Sequence, residues 1–261
     1  MKENHKDIAE LLENRLDFIV SNIAKEYGIE SYSTNPDFLE KRLYPWHEFG
    51  LITHTKKVRS VFLNELDSIL KDWDYTNINQ VLNKKIDGIK KKDLIEISIP
   101  LHDLGKIIVF GSNEKDRGHE KLSVYLINQN PLKEMLYSFG LTDNQIKYIS
   151  RCVETHDVIG KEIRDELKHA GKLNSVDINN NDSRDLCRLV SNRYSDVKHE
   201  IGVYFLCDSL GKTDVITNSQ NEEEISKILE RKGLREELKS AVMQLPTNMK
   251  LAEVYFRFSE Y

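Results

Sequence analysis

A histidine and an aspartate stand side by side, His102 and Asp103, at the end of the apolar run Leu94-Ile95-Glu96-Ile97-Ser98-Ile99-Pro100-Leu101 and before Leu104-Gly105-Lys106-Ile107. Core side chains belong at such positions. An ionised carboxylate taken out of water is costly unless something compensates it. A divalent metal is one such partner, and imidazole with carboxylate is a common ligand mix for it. A chain with this doublet must therefore fold so that further polar groups converge on it.

Four more polar residues repeat the placement. Residues three and four apart share a helix face. His54 shares its face with Leu51 and Val58, and His119 shares one with Leu122, Ser123 and Leu126. His156 follows Ile149, Cys152 and Val153, while Asp208 follows Ile201, Tyr204 and Phe205. A single core histidine ordinarily hydrogen-bonds a backbone carbonyl and means little more. Four histidines and two aspartates on inward stripes point to a metal site. His5, His47, His169 and His199 lack the inward pattern or lie in polar surroundings, and are expected to be structural or exposed; His47 is the exception to watch, because Trp46-His47 sits one or two turns from His54.

The order His54, His102-Asp103, His119, His156, Asp208 resembles the HD-domain metal-dependent phosphohydrolase superfamily, with the closest likeness to the HD domain of bacterial tRNA nucleotidyltransferases and poly(A) polymerases. The likeness rests on Pro45-Trp46-His47-Glu48-Phe49-Gly50-Leu51-Ile52-Thr53-His54-Thr55, the doublet, Gly118-His119-Glu120 and Asp208-Ser209-Leu210-Gly211-Lys212, and spans about two thirds of the chain. No strand-rich region with a Gly-Ser pair and paired aspartates is present, so polymerising activity is not implied. The resemblance implies an all-α, single-domain HD-type helical bundle over 41–215, with an N-terminal helical extension (1–40) and a C-terminal one (216–261). It implies His54, His102, Asp103 and Asp208 as the minimal one-metal set, with His119 and His156 adding a second ion or holding phosphate.

The chemistry expected is phosphohydrolysis of a nucleotide or RNA end, such as a 2′,3′-cyclic phosphate. Metal-bound water has a lowered pKa, and Asp103 is placed to bridge ions or orient that water. Lys106 lies one turn from His102, where a cation can neutralise a phosphate oxygen; Arg151 and Lys212 join it as substrate-binding candidates, with Arg188 and Arg193 as weaker clamps. Gly105 is expected to let substrate approach the backbone. Glu120 and Asp157 stand beside motif histidines and are expected to orient them. The all-N/O donors suit Mn, Fe, Co, Ni, Mg or Zn. A diiron oxygenase on the same fold and a non-catalytic nucleotide-binding regulatory module are the alternatives; an intact ligand set argues against the second.

Composition supports a helical chain. Only 12 Gly and 5 Pro occur in 261 residues, with 39% hydrophobic and 31% charged residues and no linker-like stretch. No apolar run approaches the ~18 residues a membrane span needs. The start lacks a signal-peptide core, and Cys152, Cys187 and Cys207 have no CxxC spacing, so a cytoplasmic setting without thiolate zinc is expected. A net charge of −5 gives no footprint for stable DNA binding, though local basic patches remain compatible with it. Oligomeric state is not written in the sequence. Helices are expected over Asp7–Tyr27 (Asp7 as N-cap), Gly50–Trp73, Ile78–Ile86, Asp93–Val109 kinked at Pro100, His119–Asn128, from a Thr142 capping box to His156, Arg184–Val190, Asp196–Lys212 and Glu222–Leu245, with Asn174–Ser183 an exposed loop.

Overall fold

The computed structural model describes residues 5–29, 48–111, 118–215, 217, 219 and 221–259. His47 and its neighbours Pro45 and Trp46 lie outside them. The class is all-α: among the described residues the only sheet is the two-stranded pair Lys85–Ile86 and Ile89–Lys90. No described helix is long and apolar enough to cross a membrane. The described chain divides into two compact units, one of residues 5–29 and 76–156 and one of 48–75 and 157–259. These boundaries differ from 1–40, 41–215 and 216–261, because the terminal helices share cores with middle segments instead of standing apart.

The first unit is organised around Lys91–Ser98, where every residue from Leu94 to Ser98 is buried. The His5–Asn14 and Asp143–Thr155 helices pack on it, and Gly105–Gly111 packs on His119–Ile127 and Leu16–Glu26. The expected Asp7–Tyr27 helix is interrupted at Arg15, and Asp7 lies inside His5–Asn14 rather than at its cap. The Thr142 capping box is present: the Gln145 N–H donates to Thr142 Oγ1 (3.3 Å) and the Thr142 N–H to Gln145 Oε1 (2.8 Å). Two of the helix's orphan donors are thereby satisfied. Instead of a helix continuing to Ile86, the chain stops at Leu82 and turns a hairpin. Asp87 and Gly88 both have positive φ (46° and 91°), the turn that matches strand twist and favours Asp-Gly.

The second unit is built on Lys198–Leu210, buried continuously from Glu200 to Ser209 and therefore apolar around most of its circumference. Leu51–Asn64 and Lys239–Phe258 flank it, and Asn181–Arg193 packs on Lys239–Phe258. The expected Glu222–Leu245 helix is two. Glu222–Arg231 ends at Gly233 (φ 66°), with the Gly233 N–H donating to Glu230 O (2.9 Å) and Leu234 N–H to Leu229 O (2.8 Å). That pair of bonds is the Schellman stop, which glycine makes without steric penalty. Lys239–Phe258 then runs through Pro246. The burial of Leu251, Tyr255 and Phe256 offsets the hydrogen bond proline removes. Gly50–Trp73 is likewise split, at Glu65.

All three cysteines are free and buried. Burial pushes the Cys187 thiol up from 9.0 to about 12. For Cys207, burial first and then the nearby Asp208 and Glu65 charges also raise it. A folded-state pKa above the unfolded one means the contribution of Cys187 is complete below pH 9 and disappears as pH rises towards about 12. Native protein at pH 8 should leave its thiols unreacted with iodoacetamide until denaturant is added, and melting temperature should fall as pH climbs above 9. Rapid alkylation of folded protein at pH 8 would contradict this burial.

Candidate metal centre

The doublet does not lie on a kinked helix. Lys91–Ser98 stops, Ile99–Leu101 forms one tight 3-10 turn containing Pro100, and a new helix opens at Gly105. Proline has no N–H to give to the carbonyl four residues back. The chain tightens instead: the His102 N–H donates to Ile99 O (3.3 Å) and the Lys106 N–H to Asp103 O (2.9 Å). His102 and Asp103 thus sit at a buried joint between helices, where their side chains are less bound to a helical rotation than the sequence pattern implied.

Three imidazoles and one carboxylate meet there, all in the first unit. His102 Nδ1 donates to Ile99 O (2.7 Å), and His156 Nδ1 donates to Val153 O (2.7 Å). A carbonyl only accepts, so in the neutral ring each Nε2 is left with its lone pair. His102 Nε2 lies 3.3 Å from Asp103 Oδ2, and His119 Nε2 and His156 Nε2 lie 3.2 and 3.6 Å from Oδ1. The two Nε2 atoms of His119 and His156 are 3.1 Å apart. Lys106, itself buried, reaches Asp103 Oδ2 at 2.8 Å. One ligand atom from each of Asp103, His119 and His156 lies within 4.8 Å of the others.

Burial alone would push the Asp103 carboxyl up. With its ring protonated, His102 supplies a charge that, with the Lys106 charge and hydrogen bonds from His102 and His119, outweighs it and holds the group well below the usual carboxylate range. The donor set fits a divalent cation on its own chemistry: acceptor nitrogens face one another and a carboxylate, an arrangement that positive charge among them reconciles. Ligating histidines ordinarily donate their other ring N–H to a carbonyl or carboxylate, and His102 and His156 do so.

The second unit brings together His54, Asp208 and Lys212. His54 Nδ1 donates to Gly211 O (3.0 Å), while its Nε2 lies 3.0 Å from Asp208 Oδ1. Lys212 Nζ holds Asp208 Oδ2 at 2.8 Å. The anchoring of this ring repeats that of His102 and His156. A Cβ on Gly211 would stand 2.6 Å from Val58 Cγ2 and 3.0 Å from the Val58 N, so glycine lets the chain press against the Leu51–Asn64 helix. Glu48 fixes the following segment, accepting from Thr213 Oγ1 (2.9 Å) and the Asp214 N–H (2.7 Å).

The other expected residues are placed as follows. Arg151 pairs with Glu154 on its own helix (2.8 Å). Arg193 and Tyr194 pair with Glu162, and the Arg188 guanidinium lies 5.5 Å from the Phe258 ring centre. Glu120 Oε2 stands 3.5 Å from His119 Nδ1. His156 is oriented by the Val153 carbonyl, whereas Asp157 pairs with Lys161 (3.4 Å). Gly105 serves helix packing: a Cβ there would lie 2.0 Å from His119 O. His199 bonds Tyr75 and His169 is exposed. Sequence reasoning missed the carbonyls of Ile99, Val153 and Gly211, which carry no side-chain signal, and Ser123, whose Oγ accepts the Gly105 N–H at 2.8 Å.

No protein-family model, curated protein or solved structure matches this chain.

Proposed function

We propose that the chain is a metal-dependent phosphohydrolase that cleaves a phosphomonoester or phosphodiester of a nucleotide or RNA end, 2′,3′-cyclic phosphate included. The observation that carries the reading is the ring anchoring: His54, His102 and His156 each place Nδ1 on a backbone carbonyl and turn Nε2 towards an aspartate. Nitrogens so fixed are ready to bind a cation without reorganising. His102, Asp103, His119 and His156 form one part of the proposed ligand set; His54 and Asp208 join it on their order along the sequence, for one or two divalent ions.

Bound there, a divalent ion supplies a Lewis acid and a water of lowered pKa. Asp103, held ionised, accepts hydrogen bonds and orients the attacking water. Lys106 balances the Asp103 charge and offers its ammonium to a phosphoryl oxygen. Lys212 is suited to the same role beside Asp208.

Elemental analysis of purified protein, beside a phosphate-release screen over nucleotides, cyclic dinucleotides and cyclic-phosphate RNA ends, tests the reading. One or two ions of Mn, Fe, Co, Ni, Mg or Zn per chain are expected, with release that persists without oxygen and stops on chelation. A buried cation also stabilises the state that binds it, by about 2.7 kcal/mol at a hundredfold excess over Kd, so chelation should lower the melting temperature. Turnover that needs oxygen, or metal-free protein at full activity, would refute the proposal.

A further inference from the structure

Five of the chain's lysines, Lys84, Lys85, Lys90, Lys91 and Lys92, fall within nine residues that hold one aspartate, in a protein of net charge −5. They flank the Asp87-Gly88 turn of the hairpin. Its register sets Lys85 directly opposite Lys90 and Ile86 opposite Ile89. Successive strand residues face opposite ways. Ile89 is buried, so the isoleucine pair faces the protein and the lysine pair faces out. Lys84, Lys85 and Lys90 are exposed, and the Lys91 N–H donating to Lys84 O (2.8 Å) carries the ladder one residue further.

Like charges directly opposite across a strand pair are destabilising, and nothing in the turn chemistry requires them. The one acidic group of the hairpin is occupied elsewhere: Asp87 Oδ2 accepts from Thr142 Oγ1 (2.6 Å) and Asn144 Nδ2 (3.0 Å). Gln145 Nε2 further donates to the Ile86 and Asp87 carbonyls (3.0 and 3.2 Å). The hairpin is thus clamped to the start of the Asp143–Thr155 helix, with Lys84, Lys85 and Lys90 exposed, while Lys91 lies 5.0 Å over the Tyr148 ring.

We propose that this hairpin is a docking surface for the phosphate backbone of RNA, holding the substrate strand whose end is processed; its identity as part of a substrate track rests on the phosphohydrolase reading. Opposed lysines gain what they lack when a phosphate lies between them, and releasing condensed counterions drives the association. The clamp gives the track a length. Asp143–Thr155 begins at the hairpin and His156 follows its last residue; 13 residues at about 1.5 Å each give roughly 20 Å along the axis. An anionic membrane is the less fitting partner, because surface binding to lipid pairs lysines with apolar side chains that insert. None of the exposed large hydrophobic residues among the described residues falls in 84–92.

The test is fluorescence anisotropy of a labelled RNA oligonucleotide with full-length wild type, K85E and K90E, in chelator so that no hydrolysis is needed. Each single substitution turns an opposed like-charge pair into an opposite-charge pair, so melting temperature should hold or rise. RNA affinity should drop about tenfold at 0.1 M salt, with the log–log salt slope smaller by about one. Anionic and neutral phospholipid vesicles form the second arm, and no binding is expected to either. Wild type that does not bind RNA, variants that bind it equally, or lysine-dependent binding to vesicles alone would each overturn the docking surface. Loss of phosphate release with lysine-dependent RNA binding intact would overturn the hydrolase reading and leave the surface standing.

Discussion

On the proposed reading, Asp103→Ala is expected to lower phosphate release by about a thousandfold or more, since an ion that Asp103 helps to hold would supply several kcal/mol of transition-state stabilisation at 1.36 kcal/mol per tenfold. Both Asp103 oxygens face imidazole nitrogens, and Oδ2 also takes the Lys106 ammonium. Alanine leaves the Lys106 charge buried beside three imidazoles. Breaking one partner of a buried pair costs about 3–5 kcal/mol, so a folding defect is expected alongside the loss of activity. The double variant Asp103→Ala, Lys106→Met separates the two effects, because it removes both charges. Melting temperature should recover towards wild type while release stays absent and metal content stays low. Near-wild-type turnover of Asp103→Ala at equal metal loading would place the chemistry elsewhere.

How much of this was legible in the sequence depends on the kind of information each feature carries. The inward placement of His54, His119 and Asp208 was readable because they lie on helices, where periodicity survives; His102, Asp103 and His156 are equally buried but sit in turns just past a helix. The Thr142 cap was readable for the same reason, being local. What failed was punctuation. Pro100 reads as a kink, yet with Ile99 and Leu101 it makes a separate turn; Pro246 lies inside a helix that tertiary packing carries past it. Asp87-Gly88 and Gly233 were local signals, a hairpin turn and a helix stop, that a strict reading of turn chemistry would have caught. The ring-anchoring carbonyls could not be read at all. Ile99, Val153 and Gly211 contribute only backbone atoms, and any residue type offers those. The bracing of Thr213 and Asp214 by Glu48 joins positions some 165 apart, a separation no local pattern encodes.

Gly105→Ala should be among the most damaging single substitutions of the first unit, although it adds only one methyl group. Its Cβ would lie 2.0 Å from the His119 carbonyl oxygen, 2.7 Å from the Ser123 N and 2.8 Å from Leu122 Cβ. Two of those atoms are backbone, so no side chain can swing aside; the Gly105–Gly111 and His119–Ile127 helices must separate. Overpacking costs typically 1–3 kcal/mol, and here the displacement also strains the Gly105 N–H···Ser123 Oγ bond of 2.8 Å. A loss of about 3 kcal/mol or more is expected, which for a chain of this size is roughly 6–12 °C in melting temperature. Gly118→Ala is the control. That glycine has φ 90° but nothing within 4 Å of its added Cβ, so it pays only the left-handed backbone penalty of about 1–2 kcal/mol. Calorimetry of both variants ranks contact against strain: Gly118→Ala as the worse of the two would contradict the close helix approach. The consequence reaches the candidate metal centre, because the atom displaced by the methyl group is the carbonyl of His119 itself. Surviving Gly105→Ala protein should therefore bind metal more weakly than its residual stability alone would suggest, a difference that titration with Mn or Zn at a temperature well below both melting points resolves.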